Sequence, residues 1–129
     1  MNWHHCESED FLPFLQEQLL YRKIVKVEEH GDEQTVDLTL DNGVVLRAHG
    51  NEGCGGCGNG WYFLTHVETC DNAIMGVEVL NEQEERYSVF VMTEDKRINM
   101  LTYKGYDNGY YGVGFYLEVI RKENEENDY

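Results

Sequence analysis

Cys54, Cys57, His66 and Cys70 follow one another as C-x2-C-x8-H-x3-C, and the first two sit in the run Gly53-Cys54-Gly55-Gly56-Cys57-Gly58-Asn59-Gly60. Thiolate and imidazole are the ligands that zinc prefers. Glycines between and after a cysteine pair let two sulfurs approach one ion while backbone amides point at them. If residues 61–71 are helical, His66 and Cys70 stand four apart on one face and complete a tetrahedron. Four protein ligands leave no place for an activated water, so zinc held this way is structural, a staple for the glycine-rich loop rather than a reactive centre. His49 or Cys6 could replace His66, and spacing alone does not rank the three. The plain alternative is four reduced thiols without a metal.

Other chemistries fit the residues less well. A thioredoxin-like pair opens a helix inside a βαβ unit, a setting the strand pattern here does not supply. The glycine run lacks the Gly-Lys-Ser/Thr ending of a phosphate loop and has Glu52 beside it. His4 and His5 stand near the first residue and read as solvated. The pairs Glu28-Glu29 and Glu84-Glu85 are adjacent, but neighbours on a strand face opposite ways and form no acid/base dyad. With no nucleophile elbow and no poised base beyond His66 for Cys70, the expectation is a protein that is not an enzyme.

A second group of residues points to binding. Tyr103, Tyr106, Tyr110 and Tyr111 lie around the turn Tyr103-Lys104-Gly105-Tyr106-Asp107-Asn108-Gly109-Tyr110-Tyr111-Gly112. Tyrosine offers rigid amphipathic contact area and glycine an adaptable backbone, so this stretch is read as a binding surface. The chain carries 25 acidic and 10 basic residues, a formal charge of -15, which disfavours direct contact with nucleic acid and favours a partner with a basic surface. The acids run throughout the sequence, as ordinary solubility requires; the sharper reading is mimicry of nucleic acid. No run of about 20 apolar residues is present and the first residues lack a signal-peptide pattern, so the expected location is the cytoplasm.

These residues have to be positioned by a single domain, since 129 residues enclose one core. Residues 8–21 predict an amphipathic helix capped by Ser8 or Asp10, with acids in its first turn and Phe11, Phe14, Leu15 and Leu19 at helical spacing. From Arg22 the apolar period becomes two. A two-residue Asn42-Gly43 loop would set Leu38 against Arg47. A three-residue loop, Asp41-Asn42-Gly43 with Gly43 left-handed, pairs Leu40 with Val44, Leu38 with Leu46 and Val36 with Ala48. Residues 61–67 suit a helical turn or a strand. Alternation predicts further strands over 74–80, 86–93, 97–103 and 110–120. The expected fold is α+β, an N-terminal helix followed by a mainly antiparallel sheet with a glycine-rich cysteine loop. Residues 1–121 form the domain and 122–129 an acidic disordered tail.

The order of landmarks, from Lys23-Ile24-Val25-Lys26-Val27 through the 40–46 hairpin, the cysteine pair, Trp61 and 74–80 to Asn108-Gly109-Tyr110-Tyr111-Gly112, resembles a family of uncharacterised small proteins of actinobacteriophages and their hosts. The resemblance covers residues 22–120. Its members carry adjacent cysteines before the aromatic, whereas Cys54 and Cys57 are separated by two glycines, and Cys70 and His66 have no firm counterpart. The resemblance implies a phage or prophage origin. The expected function is then an acidic, non-enzymatic binding protein that docks on a host protein in the host cytoplasm, as an inhibitor of a defence or regulatory factor. The alternative is a virion or assembly component that forms a homo-oligomer through an edge strand and the tyrosine-rich loop.

Overall fold

The structure, a computed structural model, describes residues 3–53, 60–106 and 112–121. It corrects the expected α+β class: the described residues form two antiparallel sheets with one short helix. In chain order the elements are β1 (His4–His5), α1 (Phe11–Leu19), β2 (Ile24–Glu29), β3 (Thr35–Leu40), β4 (Val45–Gly50), β5 (Tyr62–Val67), β6 (Gly76–Glu82), β7 (Arg86–Met92), β8 (Arg97–Gly105) and β9 (Phe115–Arg121). The first sheet runs β1-β9-β4-β3-β2 and the second β5-β8-β7-β6. The period-two signal was present along the chain, but periodicity does not say which strands pair, and so does not reveal that they divide into two sheets.

The helix is shorter than its apolar spacing suggested. Phe11, Phe14, Leu15 and Leu19 are buried as expected, yet Asp10 at its start makes no side-chain cap and the first turn holds no acid. Leu20 is extended and Tyr21 adopts φ 67°, the left-handed region that ends helices, so the last predicted turn is lost. The β3–β4 hairpin has the expected register: Val36 opposes Ala48, Leu38 opposes Leu46, and Leu40 N–H donates to Val44 O at 2.8 Å. Gly43 at φ 89° closes the turn and donates to Leu40 O. Residues 62–67 are a strand, and the last strand begins at Phe115 rather than at 110.

Both sheets and the helix contribute to one core. Phe115 sits at its centre, stacked on Tyr103 at 4.7 Å between ring centroids and met edge-on by Phe11 at 5.6 Å. Each of these rings is essentially inaccessible, and burial of such large apolar surfaces supplies the main cohesion between the layers. Among the contacts that join the sheets are two seams at their edges. At one, Ile24 and Cys70 exchange backbone hydrogen bonds of 2.9 and 3.0 Å, tying β2 to the segment after β5. At the other, Cys6 N–H donates to Phe115 O while the next residue, Glu7, accepts hydrogen bonds from Tyr87 Oη (2.6 Å) and Asn81 Nδ2 (3.2 Å) of the second sheet.

Candidate functional site

The chain passes from the first sheet to the second through Gly50 and Asn51, and Asn51 knots together the residues at that end. Its N–H donates to Gly114 O at 2.9 Å and its carbonyl accepts from Tyr62 N–H at 3.0 Å. Its side-chain Nδ2 donates to Gly60 O at 2.9 Å, and its Oδ1 accepts from Tyr116 Oη at 3.1 Å. Gly60 N–H donates in turn to Tyr106 O, and the Gln34 side-chain amide Nε2 donates to the carbonyls of both Asn51 and Tyr62. A buried amide satisfied on both its oxygen and its nitrogen fixes its surroundings far better than an apolar contact of the same size. Gly53 and Gly60 flank the cysteine run, and Tyr106 and Gly112 flank the tyrosine run, so one clamp anchors the flanks of both segments.

Beside the clamp, the outward face of the first sheet carries a row set by register. Thr35 opposes His49 on β3–β4, His49 opposes Tyr116 on β4–β9, and Tyr116 opposes His5 on β9–β1. Trp3 and His5 meet the Tyr116 ring edge-on at 5.9 and 4.9 Å. His5 Nε2 lies 2.6 Å from Val113 O, so that nitrogen donates, while Nδ1 accepts from Glu7 N–H at 3.1 Å. Both ring nitrogens of His5 are therefore occupied. One row along, Arg47 forks onto Asp37 with bonds of 2.8 and 3.1 Å, and His30 Nε2 is 3.0 Å from the same carboxylate. Burial raises the Asp37 carboxyl, but the hydrogen bonds from Arg47 and His30 outweigh it and hold the group below its usual range.

At the clamp end of β4, His49 is part of a chain of polar groups. Asp32 accepts from the N–H groups of Gln34 and Thr35, Thr35 Oγ1 lies 2.7 Å from both Asp32 Oδ2 and His49 Nδ1, and His49 Nε2 is 3.3 Å from Glu52 Oε2. Sequence reasoning missed Asp32, Thr35 and Asn51. The spacing Asp32-Glu33-Gln34-Thr35 does carry a signal, because an aspartate two and three residues before such amides often receives them, but nothing in the sequence marks Asn51.

The predicted site residues are distributed differently from the expectation. Cys54, Cys57, Tyr110 and Tyr111 lie outside the described residues. His66 sits on strand β5, exposed, with Nε2 2.7 Å from Glu68 Oε2. Cys70 is buried at the seam with its thiol directed at Asn72 O at 3.3 Å. The helix that was to put His66 and Cys70 on one face is a strand, which removes the geometric reason for pairing them. Cys6, the other alternative, is buried, accepts from Phe115 N–H, and has its thiol pushed up to about 12 by burial, so it stays protonated. Tyr103, expected on the binding surface, is a core residue whose hydroxyl donates to Gln34 O at 2.6 Å; Tyr106 is exposed. Among the described residues no three His, Cys, Asp or Glu side chains converge as a metal site, and no helix is long and apolar enough to cross a membrane.

No curated protein and no solved structure matches the chain. Residues 17–117 match a family described as a domain of unknown function, DUF7448. Because that span runs from the second half of α1 through every later strand into β9, the chain belongs to the DUF7448 family.

Proposed function

We propose that this is a phage-encoded, non-enzymatic binding protein that docks on a basic surface of a host protein in the host cytoplasm, and that the end organised by Asn51 is its docking end. The observation that carries the reading is the clamp itself, which ties the flanks of the glycine-rich and tyrosine-rich segments to one buried amide. Exposed Tyr106 and the partly exposed Trp3 supply aromatic area near it, and a charge of -15 supplies attraction to a cationic partner. Zinc on the cysteines of the loop would add rigidity to the same end.

The test is capture from host lysate followed by titration of the purified pair. A saturable complex whose affinity falls as salt rises, and falls about tenfold or more when Trp3 and Tyr106 are both changed to alanine, supports the reading. A complex indifferent to salt and to both substitutions would sink it. The self-assembly alternative is less well supported, because edge strand β2 displays Lys26, Glu28 and Glu29, charges that blunt strand-to-strand addition. A concentration-independent monomer in size-exclusion chromatography removes that alternative.

A further inference from the structure

The outward face of the second sheet is built in rungs. Glu82 opposes Arg86 and Arg86 opposes Lys104; one rung along, Ser88 opposes Thr102, with His66 beyond it on β5. Phe90 and Asn99 form the next rung. Together they line a groove of about 270 Å³, just below the usual range of small-molecule sites, which suits a ligand of one ring.

Two features of the groove are unusual for a bare sheet face. On a chain with 25 acidic and 10 basic residues, Arg86 and Lys104 nevertheless face each other across β7 and β8. Arg86 reaches Glu82 Oε1 at 3.5 Å through one nitrogen, and Lys104 has no ion-pair partner among the described residues. Like charges directly opposite each other on adjacent strands are destabilising. Arg97 on the same face shows the ordinary arrangement, stacked on the Phe90 ring at 3.7 Å and donating to Glu78 Oε1 at 2.7 Å.

The second feature is the floor. Ser88 and Thr102, although they face outward, are only 3% and 5% exposed. Ser88 Oγ lies 2.8 Å from Thr102 Oγ1, which also meets the Asn99 amide, 2.8 Å from Nδ2 and 3.1 Å from Oδ1. Thr102 is the one hydrogen-bond partner of the Ser88 hydroxyl among the described residues. Each hydroxyl carries a single hydrogen. If Thr102 donates to Ser88, the Ser88 hydrogen is unused; if Ser88 donates, its lone pairs are. Either way a nearly inaccessible hydroxyl keeps bonding capacity in the groove, which is costly to leave unmet.

We propose that this groove binds a small sugar acid, one ring bearing hydroxyls and a single carboxylate. The Arg86 guanidinium and the Lys104 ammonium take the carboxylate, and Ser88 and the Asn99 amide take ring hydroxyls. Successive rungs are about 6.6–6.8 Å apart, a span that one pyranose ring with its carboxylate bridges. Charge selects the carboxylate over a phosphate. Glu82, Arg86 and Lys104 leave an excess of one positive charge, whereas a phosphate monoester carries about -1.5 to -2 at pH 7. None of these residues belongs to the clamp at Asn51, so the docking reading is tested separately, by partner titration.

Titration of the full-length 15N-labelled chain with glucuronate, glucose, acetate and inorganic phosphate tests this. Glucuronate should shift the amide signals of Ser88, Asn99, Thr102 and Lys104 saturably in the millimolar range, with the other three binding at least about tenfold more weakly. Lys104→Gln should weaken glucuronate binding about tenfold while raising the urea midpoint, because it removes the like-charge pair, and Ser88→Ala should weaken binding about fivefold. Lys96→Gln, at the other end of the β7–β8 ladder, should bind as the parent does. The amide spectrum of each variant shows whether its fold is kept. Acetate or phosphate binding as tightly as glucuronate overturns recognition of the hydroxyls, and glucose binding as tightly overturns the cation pair as the anchor. Equal weakening by Lys96→Gln and Lys104→Gln, or no shift at about 50 mM glucuronate, overturns the site.

Discussion

Asp32 is held at about 2, below the range of an ordinary aspartate. Burial pushes its carboxyl up, but hydrogen bonds from Thr35 Oγ1 and from the N–H groups of Gln34 and Thr35 outweigh that, and nearby His49 adds attraction. A carboxyl with a folded pKa below its unfolded value, about 3.9, contributes stability that is present above that value and is lost as pH falls towards 2. Urea midpoints should therefore drop between about pH 4 and pH 2, and Asp32→Asn should remove part of that drop, with Asp37 supplying more of it. An unchanged pH profile in the asparagine variant would show that the Asp32 hydrogen bonds are not kept in solution. At this scale the sequence was partly readable. His49 was an alternative to His66 as a ligand, but its contacts with Thr35 and Glu52 were not legible, because the order of residues does not say which side chains the strand register brings together.

Among the elements, the two sharp hairpins make a contrast. Asp41-Asn42-Gly43 carries a glycine where φ is positive, and its register could be worked out from the apolar faces alone. The β6–β7 connection could not, since its turn places Gln83 at φ 57° and Glu84 at φ 60°, and neither residue announces a left-handed turn. That turn is enforced from outside: Tyr62 Oη donates to Glu84 O at 2.5 Å, Gly105 N–H to Glu85 O at 2.9 Å, and Glu84 N–H to Asn81 Oδ1 at 2.7 Å. Left-handed geometry costs an ordinary residue about 1–2 kcal/mol, and Asn-Gly is the pair that accepts it best. The double substitution Gln83→Asn with Glu84→Gly should raise stability by about 1 kcal/mol net of the entropy that glycine adds to the unfolded chain, read as a higher urea midpoint at constant slope. A lower midpoint would mean that the Glu84 side chain contributes more than its backbone conformation costs. The start of β9 was unreadable for a similar reason: alternation continues back to Tyr111, but Gly112 and Gly114, at φ 88° and 74°, are not in strand geometry.

For the molecule as a whole, a charge of -15 on 129 residues implies self-repulsion that salt relieves. Raising sodium chloride from 10 to 300 mM should raise the melting temperature by about 2–5 °C while weakening the proposed partner complex, two opposite responses to one variable. A melting temperature that falls with salt would mean that the ion pairs, such as Arg47–Asp37, outweigh the repulsion. Composition and period revealed a strand-rich, aromatic, acidic domain, yet they assigned Tyr103 to the surface, because alternation defines two faces without saying which one a second sheet will cover. That second sheet gives the two buried cysteines a further use. Cys6 and Cys70 lie at opposite seams, one beside Phe115 and the other bonded to Ile24, so each thiol becomes accessible only when its own seam parts. With Cys54 and Cys57 replaced by serine, the rates at which an alkylating reagent modifies the two sites become separate clocks for the opening of each edge, and mass spectrometry of the products would show whether the layers come apart together or one hinge at a time.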